Sequence, residues 1–251
     1  MKERLFRFKR FEVNHSRSAM PIGVDGVLIG CWAECEGRRI LDVGTGCGVI
    51  ALIMAQRYEE SFIEAIDIHL PSVEEAKGNF ENSPWSDRLV CRHESFEDID
   101  GSKGKYDLIV SNPPYYDSGV GMLETPRLAA RHVGLLSPAS LIVHSRSLLS
   151  QTGRLAMIIP ADIGDKIIAY AESQGYGLSR ACCVRDHDGA EFKRIMIELS
   201  LSRHMEKDDA CFPGSDIMGG RADAEKLTMF EADKSPTDKY RRLCGEFYLK
   251  F

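Results

Sequence analysis

The sequence predicts an α/β fold with a mostly parallel sheet and helices on both faces. Three observations carry this. Between residues 38 and 160, short apolar runs of strand length alternate with segments whose apolar residues recur at helical spacing. The first run ends in a glycine-rich turn, "LDVGTGCG", at 41–48. The fourth ends abruptly in "SNPPYY", at 111–116, where two consecutive prolines stop a strand.

Residues 1–20 read as an extended, aromatic and basic arm, and 24–35 as a short helical lead-in. Ile40, Leu41 and Val43 mark the first buried strand, with Gly44 opening the turn. A helix over 49–58 and a strand over 62–68 follow. "LPSVEEAKGNFENS" gives the next helix, with Pro71 tolerated in its first turn. "RLVCRH" is a third, weaker strand and "YDLIVSN" a fourth. Residues 137–150 open with Ser-Pro, a helix start, and 153–160 return as a strand. A helix over 163–176 leads to two last strands, "SRACCVRD" and "FKRIMIELSLS", expected as an antiparallel pair. Residues 204–224 are polar and glycine-rich. Order resumes in "KLTMF" and in a helix started by Ser235, Pro236 and Asp238. The expected organisation is an arm and lead-in at 1–37, a core at 38–203, a loop at 204–224, and an extension at 225–251 packed on the same domain.

The 251 residues are 43% hydrophobic and include no apolar run of membrane-spanning length. The start lacks a signal-peptide core. Eight scattered cysteines form no paired metal knuckles, and seven histidines lack ligand spacing. A cytoplasmic protein with reduced thiols, no metal, no membrane and no obligate protein partner is expected. The formal charge is −6, against broad nonspecific nucleic-acid binding. It is uneven: residues 1–20 carry +4, so the remainder carries −10. The basic arm suits either a solvated terminus or phosphate contacts.

Gly44, Gly46 and Gly48 relieve crowding at a strand-to-helix turn, so backbone groups can approach a ligand. The turn lacks the GKS/T ending of a phosphate loop. Asp67 ends the second core strand, beside that turn in a doubly wound sheet, where a carboxylate can accept both hydroxyl hydrogens of a ribose. That pattern also suits NAD, although no independent substrate acid/base set accompanies it. Asp42 can orient the turn or approach a positive cofactor end. Glu94, after the third strand, suits either an adenine amino group or a solvent-facing helix start.

Together, "LDVGTGCG", "AIDI" and "SNPPYY" resemble, in order and spacing, the class I S-adenosylmethionine-dependent methyltransferases. The resemblance implies a Rossmann-like fold, a seven-stranded sheet with a terminal antiparallel strand, and S-adenosyl-L-methionine as cofactor. NPPY occurs in enzymes that methylate adenine N6 and in those that methylate glutamine nitrogen. Its chemistry is specific. The target amine's lone pair is delocalised and poorly aimed. The Asn112 side-chain oxygen can accept one N–H and the Pro113 carbonyl the other, turning the lone pair toward a methyl carbon. Pro113 and Pro114 restrict the turn and lower the cost of holding it. Tyr115 can lay its ring on the target base, and Tyr116 either completes the wall or packs.

"FRFKRFEVNHSRSAMPIGVDGVLIGCWA", "FKRIMIELS" and "KYRRLCGEFYL" extend the likeness to bacterial tRNA1(Val) (adenine-N6)-methyltransferases, which modify the adenine beside the anticodon. About 40 residues precede the core, too few for the separate helical domain usual in the glutamine methyltransferases. The resemblance implies tRNA1(Val) as partner. It gives Asp42, Gly44, Gly46, Asp67, Glu94 and Asn112 to the cofactor, and Asn112, Pro113, Pro114 and Tyr115 to catalysis. Tyr115 and Tyr116 are the candidate substrate contacts. Lys9, Arg10, Arg17, Lys193 and Arg194 are candidate phosphate contacts, with Arg180 and Arg185 joining if they share that side. Phe6, Phe8 and Phe11 suit stacking on bases or packing on the core. Pro21 replaces a usual basic residue, and Asp25 can instead organise the pocket. The alternatives are another RNA or DNA adenine, a protein glutamine, or a noncatalytic RNA-binding module.

Overall fold

A computed structural model describes residues 4–114, 136–201 and 224–251. Strands β1 (Leu5–Arg7) and β2 (Glu12–Asn14) pair as an antiparallel hairpin, so the arm is folded rather than merely extended. Helix α1 (Val24–Trp32) leads into β3 (Arg39–Val43), α2 (Val49–Arg57), β4 (Phe62–Asp67), α3 (Leu70–Glu81), β5 (Leu89–His93) and β6 (Tyr106–Ser111). Then come α4 (Pro138–Leu148), β7 (Leu149–Pro160), α5 (Gly164–Ser173), β8 (Tyr176–His187), β9 (Arg194–Leu201), β10 (Glu225–Phe230) and α6 (Asp238–Cys244).

The main sheet runs β10-β8-β9-β7-β6-β3-β4-β5. All neighbours are parallel except β9, which is antiparallel to both β7 and β8. The expected antiparallel pair is therefore present. The sheet has eight strands, because "KLTMF" joins β8 as a parallel edge strand, burying Leu227 and Met229. Chain order reverses between β3 and β6: the path leaves β3 toward β4 and β5, then returns to β6 on the other side. In such sheets this switch point opens a crevice beyond the strand ends.

Both faces are buried, and alternate residues of each strand serve opposite layers. Ile40, Leu108, Val110, Ala156 and Ile158 pack with α1, α2, α3 and α6. Leu41, Ile109, Leu155, Met157 and Ile159 pack with α4 and α5. Fully burying each large aliphatic chain contributes about 1.5–3 kcal/mol, so the central strands anchor whatever sits at their ends. Helix α4 starts on a capping box, the Ser137 hydroxyl accepting from Ser140 N–H and Ser140 reaching back. In α6 the cap is Thr237, whose hydroxyl oxygen accepts from Tyr240 N–H; Ser235 donates to Asp233 instead.

The arm's aromatics pack. Phe8 and Phe11 are buried and stacked, with ring centroids 4.5 Å apart, and Phe8 also stacks on Tyr248. Lys9 N–H donates to the Phe247 carbonyl at 2.8 Å, joining the arm to the C-terminal segment. No helix among the described residues is long and apolar enough to cross a membrane.

Candidate active site

The glycine turn is held from three directions. Asp42, buried near the end of β3, accepts from the Thr45 hydroxyl at 2.6 Å and from Ala51 N–H at 3.1 Å, both on Oδ2. One carboxylate therefore ties strand, turn and helix start together. The Ile66 carbonyl, at the end of β4, accepts from Gly44 and Thr45 N–H. Asp67 next to it accepts from Gly46 N–H at 2.9 Å and from His69 N–H at 2.8 Å. Gly46 has φ +56°, where side chains are disfavoured, and a Cβ there would meet nothing within 4 Å. Its backbone faces open space.

The Ser111–Pro114 segment arrives on the neighbouring strand. Val43 and Ser111 are register partners, and the buried Ser111 hydroxyl donates to the Val43 carbonyl at 2.8 Å. The turn and Asn112 thus leave adjacent strands at the switch point. Asn112 and Pro114 are half-buried and Pro113 is buried. Tyr115 and Tyr116 lie outside the described residues. Glu94 continues from β5, whose His93 is paired with Asp67. Glu94 N–H donates to the Asp67 carbonyl, and its carboxylate lies 2.8 Å from Arg92 Nε.

Asp42 Oδ1 is buried with no hydrogen-bond partner. Burial outweighs the two donors on Oδ2 and pushes the Asp42 carboxyl up to about 7, with Asp67 nearby adding to the rise. The folded value lies above the unfolded one of about 3.9, so the native state holds a proton that the unfolded chain releases. That contribution is complete below about pH 4 and is lost as pH rises through about 7. Asp42→Asn has the same shape and no charge. Between pH 5 and 8 its melting temperature should fall less than that of the wild type, reflecting about 2–4 kcal/mol less pH-dependent loss. Parallel thermal-melt curves for the two proteins would reject this account of Asp42.

These groups suit S-adenosylmethionine. Asp42 offers a buried, unpartnered acceptor, the Gly46 backbone faces open space, and Asp67 carries a carboxylate at the neighbouring strand end. The family model of the methyltransferase small domain matches residues 16–168. A tRNA1(Val) (adenine(37)-N6)-methyltransferase from Vibrio vulnificus (strain YJ016) is 33% identical over 251 residues, covering 100% of this chain and 98% of that protein. One of the same name from Bacteroides fragilis (strain YCH46) is 36% identical over 253 residues, with 100% of both covered. This chain belongs to their family. Solved structures agree on the fold. A predicted O-methyltransferase from Agrobacterium tumefaciens aligns with TM-score 0.63 at 18% identity, over 88% of this chain and 96% of its own. The M. jannaschii tRNA m1G37 methyltransferase aligns with TM-score 0.56 at 13% identity, over 80% of this chain and 57% of its own.

The methyltransferase's basic candidates fall in two places. Lys9 and Arg10 sit at the hairpin: the Lys9 ammonium donates to the Gly245 carbonyl, and Arg10 lies 5.5 Å over the Trp85 ring. Arg17 pairs with Glu74 of α3. At the start of β9, Lys193 pairs with Asp186 at 2.8 Å and remains 61% exposed. Arg194 pairs with Asp25 of α1 and reaches Asp186 at 3.5 Å. Asp25 thus holds the start of α1 to β9, and burial, only partly offset by Arg194, raises its pKa. Arg180 faces Glu34, Glu198 and Glu225 and stacks 4.4 Å over Trp32, and Arg185 pairs with Asp188. Sequence reasoning passed over Thr45 and Ser111, whose hydroxyls brace the turn and the strand junction. Both stand inside the quoted motifs, and that was the available signal. Among the described residues no cluster of His, Cys, Asp or Glu has the arrangement of a metal site.

Proposed function

We propose that the protein transfers a methyl group from S-adenosylmethionine to N6 of adenine 37, beside the anticodon of tRNA1(Val). The observation that carries this is the juxtaposition of the glycine turn and Asn112 on register-paired strand ends, braced by the Ser111–Val43 hydrogen bond. The full-length likeness to the two bacterial adenine-37 enzymes supports the choice of substrate.

The bound cofactor supplies a methyl carbon already activated by a sulfonium leaving group. Asp67 would accept the ribose hydroxyls, Asp42 would meet the positively charged end, and Glu94 would serve the adenine amino group. The Asn112 oxygen and the Pro113 carbonyl would each accept one hydrogen of the target amine, leaving its lone pair available to the methyl carbon. The surplus proton would pass to water after transfer, and because the methyl group is already activated no covalent protein nucleophile is needed. Tyr115 and Tyr116 wall the target base, which is cheaper to expose in an anticodon loop than in a duplex. Lys9, Arg10, Arg17, Lys193 and Arg194 supply phosphate contacts. The described cysteines are all free, which suits a reducing cytoplasm.

Mass analysis of tRNA from a deletion strain tests this. Methyladenosine beside the valine anticodon should disappear and return on complementation. An unchanged pattern would overturn the assignment. Labelled donor offered to separated tRNA, DNA and protein pools should label tRNA, whereas label in protein would move the target to glutamine.

A further inference from the structure

Helix α3 carries buried polar residues where a core-facing helix would carry apolar ones. Ser72, Glu75 and Asn79 lie on one face, at i, i+3 and i+7, and none is more than 6% exposed. Buried polar groups require partners. Here the partner is main chain: the segment 14–19, which links the hairpin to α1 and runs as a strap along α3. Asn79 Oδ1 accepts from Asn14 N–H at 2.9 Å, and its Nδ2 donates to the Asn14 carbonyl at 2.8 Å. One turn earlier, the Glu75 carboxylate accepts from Ser16 N–H at 2.7 Å, Arg17 N–H at 2.9 Å and Ser18 N–H at 2.8 Å, and from the Ser18 hydroxyl at 2.6 Å. Three successive amides thus wrap one carboxylate, as a backbone nest wraps an anion. Ser72 accepts from Ala19 N–H at 3.2 Å.

Asn79 makes one bond more. The same Nδ2 also donates to the Cys47 carbonyl at 2.8 Å, between Gly46 and Gly48 of the turn. Both its N–H groups and its oxygen are engaged, and among the described residues no other side chain is shown hydrogen-bonding to both segments, the strap and the donor turn. Asp67 holds the other side of that turn through Gly46 N–H. We propose that Asn79 is a positioning residue for the donor turn, and that through it the order of the strap and the affinity for S-adenosylmethionine are coupled. This rests on the reading of the glycine turn as the donor site. The physical basis is shared ordering: donor binding fixes the turn, a fixed turn holds Asn79, and a held Asn79 leaves less freedom for the strap to lose. Linkage makes the effect reciprocal, so a strap ordered by other means tightens the donor site by the same factor. The strap carries Arg17, so an RNA phosphate gripped there acts on donor affinity by this route.

Calorimetric titration with S-adenosylmethionine, paired with hydrogen exchange read by mass spectrometry, tests the coupling on the full chain. In the wild type, saturating donor should slow exchange in both 44–48 and 14–19. In Asn79→Ala, donor affinity should fall about tenfold, or about 1.4 kcal/mol, and donor should no longer slow exchange in 14–19. Glu75 hydrogen-bonds to the strap, with no bond to the turn among those shown, so Glu75→Gln perturbs the strap first. It should speed exchange at 16–18 without donor and still weaken donor binding about two- to threefold. A purely structural stripe would not make strap exchange respond to donor. Wild-type donor affinity in a folded Asn79→Ala protein would overturn the proposal, as would strap exchange indifferent to donor in the wild type. Should Asn79→Ala fail to fold, Glu75→Gln decides: a loosened strap with unchanged affinity refutes the coupling. A wild-type protein that takes up no donor refutes the donor-site reading itself, a result distinct from normal uptake with an unresponsive strap.

Discussion

Asn112→Ala should slow methyl transfer about 10²–10³-fold while leaving S-adenosylmethionine affinity within about threefold. The substitution deletes the side-chain amide acceptor just beyond the end of β6. It spares Pro113, whose buried ring keeps the bend, and Ser111, whose hydroxyl keeps the strand end bonded to Val43. The hydrogen bonds that brace the glycine turn run to Asp42, Asp67 and Ile66 and do not themselves involve Asn112. The target amine would keep the Pro113 carbonyl but lose the second constraint on its hydrogens, and with it the aim of its lone pair. Single-turnover transfer to tRNA at saturating donor, beside calorimetry with donor alone, separates the two quantities. Normal transfer in the variant would end the mechanism.

Asp67→Ala should weaken donor binding about 100-fold or more. Two effects add. The carboxylate's charge-assisted bonds to ribose hydroxyls are lost, each worth about 1.5–3 kcal/mol. The Gly46 and His69 amides also lose their acceptor, so the turn and the start of α3 both loosen. Asp67→Asn separates them: it retains one acceptor oxygen and the shape but not the charge, and should lose about tenfold. Calorimetric affinities ordered wild type, Asn, Ala would match both effects. Equal affinities for wild type and Ala would remove Asp67 from the donor site.

The elements that place the site were legible because their signals are local. β3, β4 and β6 are buried on both faces and read as apolar runs, and their ends carry Gly, Asp or Asn-Pro-Pro at the points where the chain must turn. The hairpin was not legible as strands: "LFR" and "EVN" are three residues each, too short for a period to show. The buried stripe of α3 was hidden for a different reason. Ser72, Glu75 and Asn79 look like a solvated face, and only the path of the strap makes them interior. Similarly, the partners of Lys193 and Arg194 are set by tertiary placement, since Asp25 and Asp186 come from α1 and β8. The eighth strand needed the far end of the chain to return beside β8, which no short stretch encodes.

The arm bonds to a segment made much later: Lys9 and Gly245, whose side chain and carbonyl meet at 2.7 Å, are 236 positions apart. On a ribosome, Phe8 emerges 240 positions ahead of its stacking partner Tyr248. Until then the hairpin lacks the lid of its aromatic nest, while the strands behind it can already pair. The seam between hairpin and C-terminal segment therefore closes after the strands behind it, and Tyr248→Ala would leave Phe8 less covered in an otherwise assembled sheet.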